Sequence, residues 1–227
     1  MLKVQARPHS GWRGGLYGFI RRMGPPQISP ASSSLKLNCA VESCHVRYSS
    51  CMSIVTPMLL TRILEDYALR PKGVHGVAHW ARVLENGHRI ADSVGADPDV
   101  IDLFAVFHDS RRVNDQRDDG HGRRGAQLAA QLRGQLFELD DRRFALLEYA
   151  CQEHTSGLTD ADPTVQVCWD ADRLDLLRVG TRPRPGLLCT AAARSDDVLE
   201  WANHRAWTLA VPELVKGNWQ LNITGGQ

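Results

Sequence analysis

The sequence predicts an all-α fold, a single bundle of about six or seven helices, on three observations. From Pro57 onward apolar residues recur at three- and four-residue steps. Helix-start signals follow one another regularly, Asp97-Pro98 and Asp162-Pro163 being the clearest. No run of alternating β-branched and polar residues is bounded by hairpin turns. A chain of 227 residues, 43% hydrophobic and 23% charged, has enough apolar side chain for one sizeable core with a tail or two.

Taken in order, "PMLLTRILEDYAL" is a first amphipathic helix, stopped by Pro71 and Gly73. In "VAHWARVLENGHRIADSV" the stripe Trp80, Val83, Leu84, Gly87, Ile90, Ala91 and Val94 marks a second, ended by Gly95. Asp97 caps a third, "DVIDLFAVFHD", whose first residue is Pro98. Beyond the polar loop 114–122, "RRGAQLAAQLRGQLFEL" continues the pattern, and Asp140 and Asp141 open "RRFALLEYACQEH". Asp162 and Pro163 precede "TVQVCWDADRLDLLRVG", and "LLCTAAARSDDVLEWANHRAW" is the last helical stretch. The helical domain is set at 52–210, with 211–227 an irregular tail.

Residues 1–51 differ in kind. They are rich in Gly, Pro, Ser and Arg, show neither helical nor strand period, and carry seven basic side chains against one acid, Glu42. The expectation is a loosely ordered basic extension, or a stretch upstream of a true start at Met52 or Met58. The remainder holds 20 basic and 25 acidic residues, a balance that disfavours nucleic acid as partner. The longest apolar runs are broken by Arg, Asp or Gly well short of the roughly 18 to 20 residues a bilayer span requires. Six cysteines without a C-x-x-C pair argue against a zinc ribbon and for reduced, packed thiols, hence a cytoplasmic location.

Chemistry is suggested by polar residues placed where apolar ones belong. His79 lies beside the stripe of the second helix. His108 shares a face with Ile101 and Phe104, and Asp109 follows at once. Asp172 falls within the stripe Val165, Cys168, Trp169, Leu176 and Val179, whereas Asp170 neighbours Gln166, Val167, Arg173 and Leu174. A buried carboxylate without a partner costs several kcal/mol, so a cation, a donor set or a raised pKa is implied, and an arginine salt bridge is the plain alternative. Together the four offer nitrogen and oxygen donors without thiolate, a set that suits Mn, Fe, Co, Mg or Zn with open positions.

The order of these residues, a first His in "HWARV", the doublet in "FHDS" and a last Asp in "DADRLD", resembles the HD-domain superfamily of metal-dependent phosphohydrolases over roughly residues 58 to 180. The resemblance implies a helical domain of the HD type and carries the family's metal ligands onto His79, His108, Asp109 and Asp172. It implies one or two divalent ions and a small phosphorylated substrate, such as a nucleotide. In "DGHGRR" and "CQEHTSG", His121 and His154 match extra ligands of two-metal members; otherwise they are ordinary helix-end residues. His75, four residues before His79, is ranked lower because Gly73 and Gly76 place it in a turn. The continuation Ser110-Arg111-Arg112 and the lack of a GYP signature depart from the family, which puts cyclic-dinucleotide cleavage in doubt.

These readings predict hydrolysis of a phosphate ester, mono- or diester, by a metal-activated water that Asp109 orients, with His121 or His154 at a second ion or at the leaving oxygen. Arg111 is a candidate contact to substrate phosphate. Arg112 is expected to neutralise Asp115, Asp118 and Asp119 instead. The alternative is a metal- or nucleotide-binding sensor without turnover on the same scaffold.

Overall fold

Helix starts follow their capping residues closely. In the computed structural model, which describes residues 53–222, α1 runs over Pro57–Glu65, α2 over Val77–Ala91, α3 over Pro98–Phe107 and α4 over His121–Leu132. The series continues with α5, Asp141–Glu153, α6, Pro163–Arg173, and α7, Asp196–Trp207. Thr56, Asp97, Asp140 and Asp162 each accept a hydrogen bond from a backbone N–H of the first turn, as an N-cap side chain should. Among the described residues there are seven α-helices and no strand, only one isolated bridge between Arg133 and Phe137. The described residues are thus all-α, as their periodicity predicts. The basic extension assigned to 1–51 lies outside the described residues.

Two helix boundaries depart from the periodicity. The stretch expected to be helical through Gly180 leaves the α conformation at Arg173 and continues as a 3-10 turn, Leu176–Val179, closed by Gly180 at φ 79°. Helix α7 begins only at Asp196, because the preceding backbone is drawn elsewhere: the fully buried Asp170 carboxylate accepts the N–H groups of Cys189 and Thr190 at 2.7 and 2.8 Å and the Thr190 hydroxyl. Asp170 is therefore as buried as the apolar residues around it. Residues 211–222 form a 3-10 turn, Glu213–Val215, and bury Val215 and Trp219 in the core. No helix among the described residues is long and apolar enough to cross a membrane. Cys151 and Cys168 are buried free thiols and Cys189 is a half-buried one.

The core lies among α2, α3, α5 and α6, filled by Trp80, Leu84, Ile90, Ile101, Phe104, Phe107, Leu147 and Trp169. The indole N–H of Trp169 donates to the Ala150 carbonyl at 3.1 Å, which ties α6 to α5. Two glycines let α4 touch backbone. A Cβ on Gly125 would lie 2.2 Å from the Phe107 carbonyl oxygen at the end of α3, and one on Gly122 would lie 2.0 Å from the Cys151 carbonyl of α5. Because those contacts are to backbone, an added methyl group can be accommodated only by moving α4. Gly125→Ala is expected to destabilise the protein by about 1–3 kcal/mol, as overpacking does, and urea unfolding measures it.

Candidate metal centre

The helix ends that touch at these glycines carry imidazoles. His108 is the residue after α3, His154 the residue after α5, and His121 the first residue of α4; His79 sits in the first turn of α2. All four are buried. They share one orientation. His79 points Nδ1 at the Asp175 carboxylate at 2.7 Å, His121 at the Asp118 carbonyl at 2.6 Å, and His154 at the Cys151 carbonyl at 2.7 Å. His108 points Nδ1 at the Phe104 and Ala105 carbonyls, both at 3.1 Å. Oxygens of these kinds only accept, which assigns the proton to Nδ1 and leaves each Nε2 with its lone pair.

Those Nε2 atoms face one another in pairs, at 3.1 Å between His79 and His108 and 2.9 Å between His121 and His154. Opposed lone pairs at that separation repel, and a cation between them converts repulsion into shared ligation. Asp109 joins the pairs. Its Oδ2 is 3.5 Å from His79 Nε2 and 3.8 Å from His108 Nε2, while its Oδ1 is 3.1 Å from His121 Nε2 and 3.8 Å from His154 Nε2. The result is two buried groups able to hold a metal ion, His79–His108–Asp109 and Asp109–His121–His154, with one carboxylate common to both. Donors bound at roughly 2.1 Å to one ion lie about 3.0–3.4 Å apart, close to these separations.

Asp172, in the last turn of α6, brings Oδ1 to 3.5 Å from His79 Nε2 and 3.8 Å from His108 Nε2. That oxygen is buried and has no hydrogen-bond partner, an arrangement that costs free energy unless a cation completes it. The donors present therefore fit a divalent ion: three or four nitrogen and oxygen ligands on each side and no thiolate.

Behind His79 stands a second carboxylate. Asp175 accepts Arg82 Nε and Nη2 at 2.7 and 2.9 Å as well as His79 Nδ1, and Arg82 donates through Nη1 to the Ala210 carbonyl. A carboxylate that holds the far nitrogen of a ligating imidazole fixes its tautomer and ring plane.

His79, His108, Asp109, Asp172, His121 and His154 are thus brought together, and Arg111 is not. Its guanidinium turns to α1, donating to the Ile63 carbonyl at 2.9 Å, and so braces the bundle instead of facing the donors. Arg112 meets Asp109 instead of the Asp115, Asp118 and Asp119 carboxylates expected for it: Nη1 lies 3.3 Å from Asp109 Oδ1 and 3.2 Å from His121 Nε2, and its other nitrogens hold the Asn114 and Gln116 carbonyls, while Asp118 and Asp119 pair with Arg124 and Arg117. Three more residues at the centre carried no assigned role. His75 is buried in its turn, Nδ1 3.0 Å from Asp109 Oδ2, while Tyr67 fixes that turn through its hydroxyl bond to the His75 carbonyl. Asp175 and Arg178 complete the set, the latter with Nη2 3.9 Å from Asp109 Oδ2 and Nη1 3.8 Å from Asp172 Oδ1.

Electrostatics favour a charged Asp109, a charged Asp172 and a neutral His108 at this centre. Burial works to raise the Asp109 and Asp172 pKa values, but the positive groups and donors around them prevail, holding Asp109 well below the usual range and Asp172 at about 2. Burial pushes His108 down to about 3, outweighing the pull of both carboxylates. The unfolded imidazole titrates near 6.5. As pH falls below that value the unfolded chain gains a proton that folded His108 refuses, so this group's contribution to stability is lost progressively down to its folded pKa. His154 opposes part of the effect: burial works to lower its pKa, but its hydrogen bond to Asp109 carries it upward. Metal-free protein should therefore unfold at lower urea concentration at about pH 5 than at about pH 7, and His108→Gln should flatten that dependence.

No family model matches the sequence, and no curated protein or solved structure matches it.

Proposed function

We propose that the chain is a metal-dependent phosphohydrolase that cleaves a phosphate ester of a nucleotide or a related small metabolite. The observation that carries this reading is the pair of lone-pair-facing histidine couples bridged by the buried Asp109, with the orphaned Asp172 oxygen beside the first couple. The likeness of the H…HD…D order to HD-domain phosphohydrolases supports the same reading.

A divalent ion in such a donor set supplies Lewis acidity toward phosphoryl oxygen and makes water a nucleophile near neutral pH. His79, His108, Asp109 and Asp172 would hold a first ion, and Asp109, His121 and His154 would hold a second. Asp109 orients the attacking water from between the two triads, since each of its oxygens faces one of them. His79 keeps its ligating nitrogen free of a proton through Asp175. His75, with Nδ1 3.0 Å from Asp109 Oδ2 and Nε2 3.3 Å from the Asp115 carbonyl, helps to orient the shared carboxylate.

The test is elemental analysis of the purified chain, followed by reconstitution with Mn, Co, Mg, Fe or Zn and a screen of phosphorylated metabolites. Uptake of one or two ions with turnover of a phosphate ester supports the proposal. Uptake without turnover across the screen favours a sensor on the same scaffold, and no uptake removes both.

A further inference from the structure

The buried charges at the centre balance before any ion is added. The ionised side chains that touch the donors or one another there are Asp109, Asp172 and Asp175 against Arg82, Arg112 and Arg178, three negative and three positive. A histidine that ligates a metal ion does so as a neutral donor. In a site whose carboxylates outnumber its cations, the protein itself cancels the charge of the metal. Here the arginines have already done so, and every charge that a divalent ion brings remains to be matched by what binds next.

The three arginines are not equivalent. Arg82 is committed, at 2.7 and 2.9 Å from the Asp175 oxygens, the usual length of a charge-assisted bond. Arg112 and Arg178 are not: their closest approaches to the cluster carboxylates are 3.3 and 3.8 Å. Both are pinned from behind by backbone carbonyls, Arg112 by Asn114 and Gln116 and Arg178 by Val74 and Asp175. They flank Asp109 on opposite sides, Arg112 beside Oδ1 and Arg178 beside Oδ2. On the side of the triads, Arg112 Nη1 is shared between Asp109 Oδ1 and His121 Nε2, and Arg178 Nη2 lies 3.3 Å from His75 Nδ1 and 3.9 Å from Asp109 Oδ2, so both guanidinium groups border the place where an anion would sit, and guanidinium pairs well with phosphate oxygens.

We infer that this site selects a phosphate monoester dianion over a diester, with Arg112 and Arg178 as its specificity-determining residues; the inference rests on the phosphohydrolase reading above. One divalent ion leaves the buried cluster with two uncompensated positive charges, which a monoester dianion cancels and a diester monoanion halves. Two ions leave four, and the same order holds. Uncompensated charge in a buried site carries a large desolvation cost, so the more highly charged ligand gains the more.

Binding tests this independently of turnover. In the metal-loaded full-length chain, at a pH where inorganic phosphate is mainly a dianion, calorimetry should find phosphate bound at least about tenfold more tightly than dimethyl phosphate. Arg112→Gln and Arg178→Gln should each reduce that preference roughly tenfold, the loss expected for a hydrogen bond to a charged group. Arg178→Lys, which keeps the charge and loses the fork, should retain most of it and guards against a folding defect in the glutamine variant. Equal affinity for the two anions, or a preference that survives both glutamine substitutions, overturns the inference. Turnover of phenyl phosphate is read separately: its absence with the anion preference intact removes the hydrolase reading and leaves the dianion selectivity. A chain that takes up no divalent ion overturns both.

Discussion

Asp109→Asn is expected to empty both metal positions at once and to lower phosphate-ester turnover by at least about 10³-fold. Its two oxygens face different histidine couples, Oδ2 toward His79 and His108, Oδ1 toward His121 and His154. An amide keeps one acceptor and turns an NH₂ toward the other couple, where it opposes a cation. Charge stabilisation by a bound ion is worth several kcal/mol in the transition state, and about 4 kcal/mol corresponds to 10³-fold. His121→Ala and His154→Ala act on one triad only, so they should each remove one ion equivalent and spare the other. Elemental analysis of the variants distinguishes these patterns, and circular dichroism checks that the bundle persists. An Asp109→Asn protein with its full metal complement would exclude Asp109 as the shared ligand.

What could be read from the sequence is what period and local chemistry encode. The caps at Asp97, Asp140 and Asp162 are local signals, and all three hold in the structure. His108 and Asp172 stand out as polar residues within apolar stripes. His75 ranked low because a turn has no period: the Tyr67 bond to its carbonyl helps hold the turn that brings it to Asp109, 34 residues along the chain. Asp170 and Asp175 show the limit of stripe arguments near a helix end. Asp170 is buried because a loop about 20 residues away supplies donors, and Asp175 because Arg82, 93 residues away, meets it. Arg111 turns to α1 while Arg112 meets Asp109, for a related reason. Adjacent residues in a tight turn point in different directions, and without knowing where α3 ends at His108 the sequence does not say which guanidinium faces inward.

Arg82→Met is expected to destabilise the protein by about 3–5 kcal/mol, the usual cost of removing one partner of a buried ion pair. Asp175 is almost fully buried, and apart from His79 its close donors are the two nitrogens of Arg82, so the truncated variant must hide a carboxylate whose remaining guanidinium neighbour, Arg178, stands 3.8 Å away. Methionine retains much of the stem volume, which isolates the loss of charge from the loss of packing. The double variant Arg82→Met with Asp175→Asn should recover a good part of that stability, because it leaves no charge unpaired. It should not recover metal affinity. His79 Nδ1 then faces an amide whose hold on the ring is weaker and whose orientation is not fixed by a guanidinium, and loss of such an outer partner typically costs 10–100-fold in affinity. Stability and metal binding thus separate in the double variant: urea midpoints return toward the parent value while calorimetric affinity stays low. Were both to return together, Asp175 and Arg82 would be only a structural ion pair, and the orientation of His79 would have to come from elsewhere in α2.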